Sequence, residues 1–219
     1  MKVPKPSFAT QKVAAKWRRQ RIGLYGGSFN PFHEGHMHVA EHALKHLPID
    51  SLWFLVSPGN PQKEGMQMAS LKKRMKRARR NTETNAKMHV SKIEKKLGTR
   101  YSADTITSLQ RGMPNTDFVW IMGADNLATF HTWERWSQIA EAIPIAIFDR
   151  PGYGWTGLKS KFCLRYSKNR VAAKNIFNSG RPAWTFVTIP RHPANATEIR
   201  AEKLAKKAKK AKATNAKET

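Results

Sequence analysis

The chain has 219 residues, 40% of them hydrophobic, so it is long enough for one folded domain with a buried core and short extensions. Its formal net charge of +25 at pH 7 predicts attraction to polyanions such as nucleoside triphosphates, nucleic acids or acidic proteins, without choosing among them. The single cysteine, Cys163, excludes an intrachain disulfide, and no apolar run reaches the roughly 18 residues of a membrane span, so we expect a cytoplasmic protein without membrane association.

Both ends of the chain differ in composition from the middle. Residues 1–20 contain many Lys and Arg, no acidic residue and no apolar stretch of a secretory signal, which favours a basic N-terminal arm over a transit peptide. Residues 201–219 consist mainly of Lys and Ala, which predicts a frayed helix or a disordered tail. We expect residues 21–200 to form the folded domain, and any nucleic-acid binding to be restricted to the basic arm and the tail.

Short apolar runs alternate with helical patterns along this domain. We predict strands at residues 21–25, 51–56, 88–93, 117–123, 143–148 and 184–189. We predict helices at residues 34–47, 70–80, 102–109 and 133–142, with Ser102 as an N-cap, and a last helix from Asn195 onward. This alternation indicates an α/β fold, a Rossmann-like doubly wound and mostly parallel sheet with helices on both faces.

Four loops that follow predicted strands are rich in turn-forming and polar residues. They are residues 26–36, 57–63, 123–126 and 149–152. Because the ligands of doubly wound sheets bind beyond the carboxyl ends of the strands, we expect these loops to converge on one crevice.

The first of these loops has the composition best suited to chemistry on phosphates. It reads Gly-Gly-Ser-Phe-Asn-Pro-Phe-His-Glu-Gly-His over residues 26–36. Gly26 and Gly27 should let the chain turn sharply and approach a ligand, and Ser28 with the N–H groups after it can donate to phosphate oxygens. His33 and His36 flank a helix N-terminus, whose dipole favours an anion. We infer a site for a polyphosphate whose α-phosphorus is attacked, with the imidazoles stabilising the developing charge.

The pattern of this loop is neither a P-loop nor a Gly-x-Gly-x-x-Gly loop. Gly-Gly-Ser-Phe-Asn-Pro-x-His-x-Gly-His resembles the signature of nucleotidylyltransferases, in the form found in bacterial nicotinate-mononucleotide adenylyltransferases. The resemblance covers most of the predicted domain and continues at residues 58–63, 101–106, 123–136, 150–152 and 194–200. In the last segment Thr197 and Arg200 match the family, whereas Asn195 stands where the family has Ser and can still hydrogen-bond.

The resemblance implies a reaction in which the phosphate of nicotinate mononucleotide attacks the α-phosphate of ATP. The products are deamido-NAD and pyrophosphate, and the reaction is a step of NAD biosynthesis. Mg²⁺ would arrive with ATP rather than on protein side chains. The implied catalytic residues are His33, His36 and Arg200. The implied ATP-binding residues are Gly26, Gly27, Ser28, Phe29, Asp125, Asn195 and Thr197.

The residues that the resemblance assigns to the mononucleotide are Lys63, Asp104, Thr105 and Trp133. Trp133 would stack on the pyridine ring. The backbone around Asp104 and Thr105 would receive the nicotinate carboxylate at a helix N-terminus, which favours the acid over the amide. Two phosphate-bearing substrates also need cations, and the candidates are His33, His36, Lys63 and Arg200. Arg150 is left open between a ligand contact and a brace of its loop.

Two other functions remain open at this point. One is an adenylyltransferase for another phosphate monoester such as phosphopantetheine, against which Asn30-Pro31 and the segments around Asp104 and Trp133 argue. The other is a non-catalytic nucleotide- or RNA-binding protein of the same fold, which the charge of +25 and Asn195 would favour. The sequence leaves the oligomeric state undetermined.

Two further clusters of polar side chains have a simpler interpretation. His38, His42 and His46 recur at every fourth residue and could hold a metal ion, but we favour a solvated helix face. Residues 72–80 are strongly basic, and we interpret them in the same way.

Overall fold

The computed structural model describes residues 19–59, 68–153, 157–194, 196–201 and 205. Most of the predicted basic arm and tail lie outside the described residues, as do Lys63 and Asn195. Within the described part, no helix is both long and apolar enough to cross a membrane.

A sheet of six strands organises the described residues, and all of its neighbouring strands are parallel. The strands are β1 (Arg21–Gly27), β2 (Ser51–Val56), β3 (Met88–Ser91), β4 (Asp117–Gly123), β5 (Ile145–Phe148) and β6 (Trp184–Val187). Their spatial order is β3-β2-β1-β4-β5-β6, so the order reverses between β1 and β4. The predicted doubly wound α/β fold is therefore confirmed, and its ligand crevice is expected at this reversal.

Helices connect the strands and pack on the sheet. In the described residues the α-helices are α1 (Glu34–His46), α2 (Leu71–Thr82), α3 (Ile93–Leu97), α4 (Ser102–Gly112), α5 (Leu127–Phe130), α6 (Trp136–Ala142) and α7 (Lys161–Arg165). Short 3₁₀ segments lie at Ala124–Asn126, Ser167–Asn169 and Ala173–Asn175, and residues 196–201 are also helical.

Both faces of the sheet are buried, and β2 illustrates how. All of its residues are buried. Trp53 and Leu55 belong to the core cluster on one face, together with residues of α4, whereas Leu52, Phe54 and Val56 belong to the opposite cluster with residues of α1 and α2. A continuous apolar run is what a parallel strand covered on both faces requires.

The segment predicted as a helix over residues 133–142 begins three residues late, at Trp136. Arg135, the residue before it, has a left-handed backbone (φ 52°), which a helix cannot continue through. Trp133 therefore lies in a turn between α5 and α6 rather than on a helix. The position of the Trp133 side chain relative to the ligand crevice is therefore set by this turn and not by a helix.

Two helix starts also differ from the sequence-based expectation. Ser102 is the first residue of α4 and Tyr101 is its N-cap, so the predicted capping role of Ser102 is wrong by one position. The strand predicted over 88–93 ends at Ser91, and the short helix α3 that follows at Ile93 was not predicted. The remaining predicted elements are present with ends shifted by a few residues.

Candidate active site

A crevice of about 790 Å³ lies beyond the carboxyl ends of β1, β2, β4 and β5. Each of the loops expected to converge contributes to its wall, for example through Ser28, Ser57, Asn126 and Pro151. The convergence is therefore confirmed for the described parts of these loops. The crevice also coincides with the reversal of strand order, where doubly wound sheets bind their ligands.

The first loop turns at Phe29 and not at its glycines. Gly26 and Gly27 are the last residues of β1, whereas Phe29 has a left-handed φ of 47°. The expectation that the two glycines make the turn is therefore wrong. Gly26 is instead required by packing, because a Cβ there would lie 2.5 Å from Cη2 of Trp120. Gly26, Gly27, Ser28 and Phe29 all line the crevice.

His33 and His36 lie side by side at the start of α1 and both line the crevice. Their ring centroids are 3.8 Å apart. The backbone N–H of His33 donates to Nδ1 of His36 over 3.2 Å. Because Nδ1 of His36 is an acceptor, its imidazole hydrogen is on Nε2 when the ring is neutral. The turn before α1 thus fixes both the orientation and the tautomer of His36.

His33 is uncharged near neutral pH in this arrangement. Burial lowers its pKa from 6.5 to about 4, and the positive charges of Arg150, His192 and Arg77 act in the same direction. Of the two roles open to His33, cation or hydrogen-bonding group, the lowered pKa favours the second in the ligand-free protein. A neutral imidazole still donates one hydrogen bond, so a role as a donor to phosphate remains.

Arg150 braces two segments of the crevice. Its Nη1 donates to the carbonyl of Gly35 and its Nη2 to the carbonyl of Ala194, each over 3.4 Å. Gly35 has no room for a side chain, because a Cβ would lie 2.7 Å from the Ala194 oxygen and 3.0 Å from Nη1 of Arg150. The glycine between the two histidines therefore permits residues 191–194 to approach α1. The sequence left this role of Arg150 open.

Asp125 places a carboxylate at the end of β4. It lies in the 3₁₀ segment after the strand, lines the crevice and is paired with Arg150, whose Nε is 3.8 Å from Oδ1. Gly123 must lack a side chain, because its Cβ would collide with the Asp125 carboxylate. Among the described residues, no group of three or more His, Cys, Asp or Glu side chains could hold a metal ion.

Arg200 links the helical segment 196–201 to the first loop. Its Nη1 donates to the Asn30 carbonyl over 2.8 Å, and its Nη2 donates to Oγ1 of Thr197 over 3.1 Å. Arg200 and Thr197 both line the crevice. The described part of the last motif is thus brought against the loop that carries the histidines.

Trp133 forms part of the wall of the crevice. Its ring meets Trp120 edge-on, with centroids 6.3 Å apart, and Phe130 at 5.3 Å. The indole N–H is buried and has no hydrogen-bond partner among the described residues. Tyr101 and Ser102, at the start of α4, line the same crevice.

Asp104 lies in the first turn of α4, as expected, whereas Thr105 is placed differently from the expectation. Thr105 is fully buried, its hydroxyl is 2.7 Å from that of Thr99, and its backbone N–H donates to the Tyr101 carbonyl. The Asp104 carboxylate accepts from Nη2 of Arg135 over 2.7 Å. Thr105 therefore has neither a free N–H nor an accessible hydroxyl. The N–H groups without an intrahelical acceptor are those of the first turn, up to Asp104.

Arg74 and Glu94 are buried charged residues near the crevice that the sequence did not single out. Arg74 is on the basic helix α2 but is only 3% exposed, and it donates to the Ser28 and Ser57 carbonyls. Glu94 lines the crevice, and burial raises its pKa to about 7 against the lowering effects of Ser57 and Arg74. The sequence signal that could have identified Arg74 is its place next to the apolar Met75, on the face of α2 that is buried.

The histidine row on α1 makes mainly ring contacts. His38 and His42 meet edge-on at 4.6 Å, and His42 and His46 stack at 5.5 Å. Nε2 of His38 lies 2.6 Å from the Pro190 carbonyl. None of these rings belongs to a group that could hold a metal within the described residues.

A protein-family model described as cytidylyltransferase-like matches residues 24–202 of the chain. This match agrees with the parallel doubly wound sheet and with the histidine-bearing loop at the reversal of strand order. The fold and the site therefore define a nucleotidyltransferase of the cytidylyltransferase-like class.

Comparison with individual relatives identifies the family within this class. The chain is 42% identical over 188 residues to the probable nicotinate-nucleotide adenylyltransferase of Brucella suis biovar 1, which covers 84% of this chain and 96% of the relative. It is 44% identical over 183 residues to the protein of the same name from Cereibacter sphaeroides, covering 82% and 96%. A structure of Plasmodium falciparum nicotinic acid mononucleotide adenylyltransferase complexed with NaAD has a similar fold, with a TM-score of 0.65, 16% identity and 83% of each chain covered. The chain belongs to the nicotinate-nucleotide adenylyltransferase family.

Proposed function

We propose that this chain transfers the adenylyl group of ATP to nicotinate mononucleotide, forming deamido-NAD and pyrophosphate. The observation that carries the proposal is the position of His33 and His36, side by side at the crevice where the strand order reverses. The choice of acceptor is supported by the name shared by the relatives in Brucella and Cereibacter.

In the proposed reaction, an oxygen of the mononucleotide phosphate attacks the α-phosphorus of ATP in line. A new P–O bond forms while the bond from the α-phosphorus to the oxygen bridging the β-phosphorus breaks, and pyrophosphate leaves with that electron pair. The nucleophile is already ionised near neutral pH, so no side chain has to remove a proton. Catalysis then consists of orienting two polyanions and stabilising the charge on the leaving group.

The ATP side of the crevice contains donors suited to this task. We assign the triphosphate to the N–H groups of Ser28 and Phe29 and to the imidazoles of His33 and His36, with Gly27 lining the crevice beside them. Arg200, held between Asn30 and Thr197, adds a permanent positive charge. The full set that we assign to ATP or its transfer is Gly26, Gly27, Ser28, Phe29, His33, His36, Asp125, Asn195, Thr197 and Arg200.

Mg²⁺ would enter the crevice as part of the substrate MgATP. Asp125 is already 3.8 Å from a cationic Arg150 nitrogen, and the described residues contain no cluster of three potential ligands. Oxygens of the triphosphate and water would therefore supply most of the octahedral shell that Mg²⁺ prefers. Asp125 would contact metal-bound water or a ribose hydroxyl.

The acceptor side is assigned to Trp133 and to the N-terminus of α4. The flat pyridine ring suits the indole face, and N–H groups of the first turn, up to Asp104, suit a carboxylate. Thr105 would support this turn from inside rather than touch the ligand, because it is fully buried. Lys63 stays assigned to the mononucleotide phosphate by the family pattern alone.

We assign catalysis to residues 21–200 and regard residues 1–20 and 201–219 as extensions outside the chemistry. Pyrophosphate release by the full chain, measured with ATP and different acceptors, tests the function. We expect turnover with nicotinate mononucleotide and none above background with phosphopantetheine or without an acceptor. Turnover with phosphopantetheine only would identify a different adenylyltransferase. RNA retained at high salt without any turnover would instead identify a binding protein.

A further inference from the structure

Arg74 differs from the other basic side chains of α2. It is 3% exposed and occupies the buried face of the helix beside Met75 and Ala78. The remaining Lys and Arg side chains of this helix are exposed, namely Lys72, Lys73, Lys76, Arg77, Arg79 and Arg80. Burying a guanidinium is unfavourable unless its donors find good partners, so its contacts are informative.

The partners of Arg74 are backbone carbonyls of three separate segments. Its Nε donates to Ala69 over 2.8 Å, just before α2. Its Nη1 donates to Ser28 in the loop after β1 and to Ser57 in the loop after β2, each over 2.7 Å. Its Nη2 donates to Pro58 over 3.2 Å. One planar fork thus connects the two loops that border the crevice with the start of α2.

The Ser28 contact adjoins the strained turn of the first loop. Phe29 has a left-handed φ of 47°, a conformation that a bulky residue adopts only when its surroundings impose it. The carbonyl before Phe29 accepts from Arg74, and the carbonyl after it, that of Asn30, accepts from Arg200 over 2.8 Å. The Asn30 side chain also accepts from the Ala69 N–H over 3.2 Å. The strained residue is held by an arginine on each side.

We propose that Arg74 is a positioning residue for ATP binding, which holds the Ser28–Phe29 turn so that its N–H groups face the triphosphate. This inference rests on the proposed function of the crevice as an ATP site. Arg74 acts through the backbone of the first loop and does not itself touch the nucleotide. The bonds to Ser57 and Pro58 attach the second loop to the same guanidinium, so a change at Arg74 affects both loops.

The geometry separates the role of Arg74 from a general effect of charge. A lysine would keep the positive charge, but a single ammonium cannot supply the planar fork that reaches three segments. Arg80 lies on the exposed face of the same helix, so Arg80→Met removes an equal charge without touching the loops. Arg74→Lys and Arg74→Met, compared with Arg80→Met, therefore form a matched set.

The test uses the full chain and measures ATP binding by calorimetry without acceptor, then KM for each substrate. We expect folded Arg74→Lys to bind ATP about tenfold or more weakly, the usual order for losing about one hydrogen bond from the displaced turn, and Arg74→Met to be weaker still. KM for nicotinate mononucleotide should rise less than KM for ATP, because Arg74 reaches the acceptor side only through its bonds to the second loop. Arg80→Met should match the unmodified chain, because its side chain lies on the exposed face of α2.

Several results would overturn the proposal. The first is an ATP affinity of the Arg74 variants equal to that of Arg80→Met. The second is an equal rise of KM for ATP and for the mononucleotide. The third is that neither Arg74 variant folds, which would make Arg74 a folding residue only. If the unmodified chain shows no turnover with the mononucleotide, the proposed function fails. The calorimetric arm still decides the role of Arg74, because it needs ATP alone.

Discussion

His33 and His36 have adjacent rings but different physical constraints. His36 is oriented by the hydrogen bond from the His33 N–H to its Nδ1, which leaves Nε2 as its donor. His33 is kept neutral by burial and by nearby positive charges, chiefly that of Arg150. Phosphates in the crevice would offset those charges and raise the proton affinity of His33. We therefore expect His36 to contribute a fixed donor and His33 a donor whose charge depends on bound ligand.

Replacing His36 by Ala should reduce kcat by about 10²- to 10³-fold, the usual cost of losing a donor to transition-state charge. The free energy of unfolding should fall less steeply than kcat, because the ring is only half-buried, although it contacts Phe29 and Phe32 and accepts the His33 N–H. Steady-state turnover and urea unfolding measure the two effects. His46→Ala, at the exposed last turn of α1, is the control and should retain full turnover. Normal turnover of His36→Ala would remove His36 from the catalytic set.

The lowered pKa of His33 predicts a pH dependence of stability. Between pH 6.5 and about 4 the unfolded chain binds the His33 proton more tightly than the folded chain, so the free energy of unfolding falls as the pH falls. The loss is at most about 3.5 kcal/mol, from about 1.4 kcal/mol for each pH unit between 6.5 and about 4, and solvent screening in the open crevice reduces it. Above pH 6.5 the titration of His33 no longer changes the free energy of unfolding.

Urea unfolding of ligand-free protein at pH 7 and pH 4.5, compared with His33→Gln, isolates this effect. Glu94 titrates in the opposite sense, because burial raises its pKa to about 7, and the comparison between chains cancels its contribution. Between pH 7 and pH 4.5 the unmodified chain should lose more free energy of unfolding than His33→Gln does. A difference independent of pH would mean that His33 titrates normally.

At the scale of elements, the turn between α5 and α6 shapes the part of the crevice that we assign to the acceptor. The backbone N–H of Trp133 donates to the Phe130 carbonyl over 3.0 Å, and the backbone N–H of Trp136 donates to the Trp133 carbonyl over 3.1 Å. The left-handed Arg135 ends this turn and directs its guanidinium to Asp104 on α4. One short segment therefore presents an indole to the crevice and neutralises a carboxylate beside the N-terminus of α4.

Trp133→Ala should raise KM for nicotinate mononucleotide about tenfold, the order expected from losing one stacked ring, while KM for ATP changes little. Trp133→Phe keeps an aromatic face and should recover part of the loss. Initial rates at varied concentrations of each substrate measure this difference. An unchanged KM for the mononucleotide would return Trp133 to a purely packing role.

Arg135→Met should weaken the preference for nicotinate over nicotinamide mononucleotide. Without Arg135, the Asp104 carboxylate would repel the substrate carboxylate, and the effect should be about threefold because the pair is partly exposed and screened. The ratio of kcat/KM for the two substrates measures it. Adding Asp104→Asn to Arg135→Met should restore the ratio. A ratio unaffected by either change would show that the pair does not contribute to selectivity.

At the scale of the whole molecule, the alternation of apolar runs and helices was sufficient to predict the parallel doubly wound sheet. The run over β2 is buried on both faces, and this is the pattern that predicts such a strand. The loop with His33 and His36 could be predicted as a site because all of its determinants lie within eleven adjacent residues. Its position beyond β1 follows from the fold class.

The missed features depend on contacts between distant residues. Arg74 was interpreted as part of a solvated basic face, but its carbonyl partners Ser28 and Ser57 are far away in sequence. The expected contact of Thr105 was wrong because Thr99 and Tyr101 already engage its polar groups. The helix predicted from residue 133 was interrupted by the left-handed Arg135, which no local pattern signals. Tertiary contacts decide these positions, and propensity does not.

The fate of each phosphate of ATP distinguishes adenylyl transfer from every other use of the nucleotide. In the experiment, the full chain is incubated with nicotinate mononucleotide and ATP labelled either at the α- or at the γ-phosphate. We predict that the α-label appears in deamido-NAD and the γ-label in pyrophosphate, in equal molar amounts. An α-label that remains in AMP or ATP, or a γ-label released as single phosphate, would contradict adenylyl transfer.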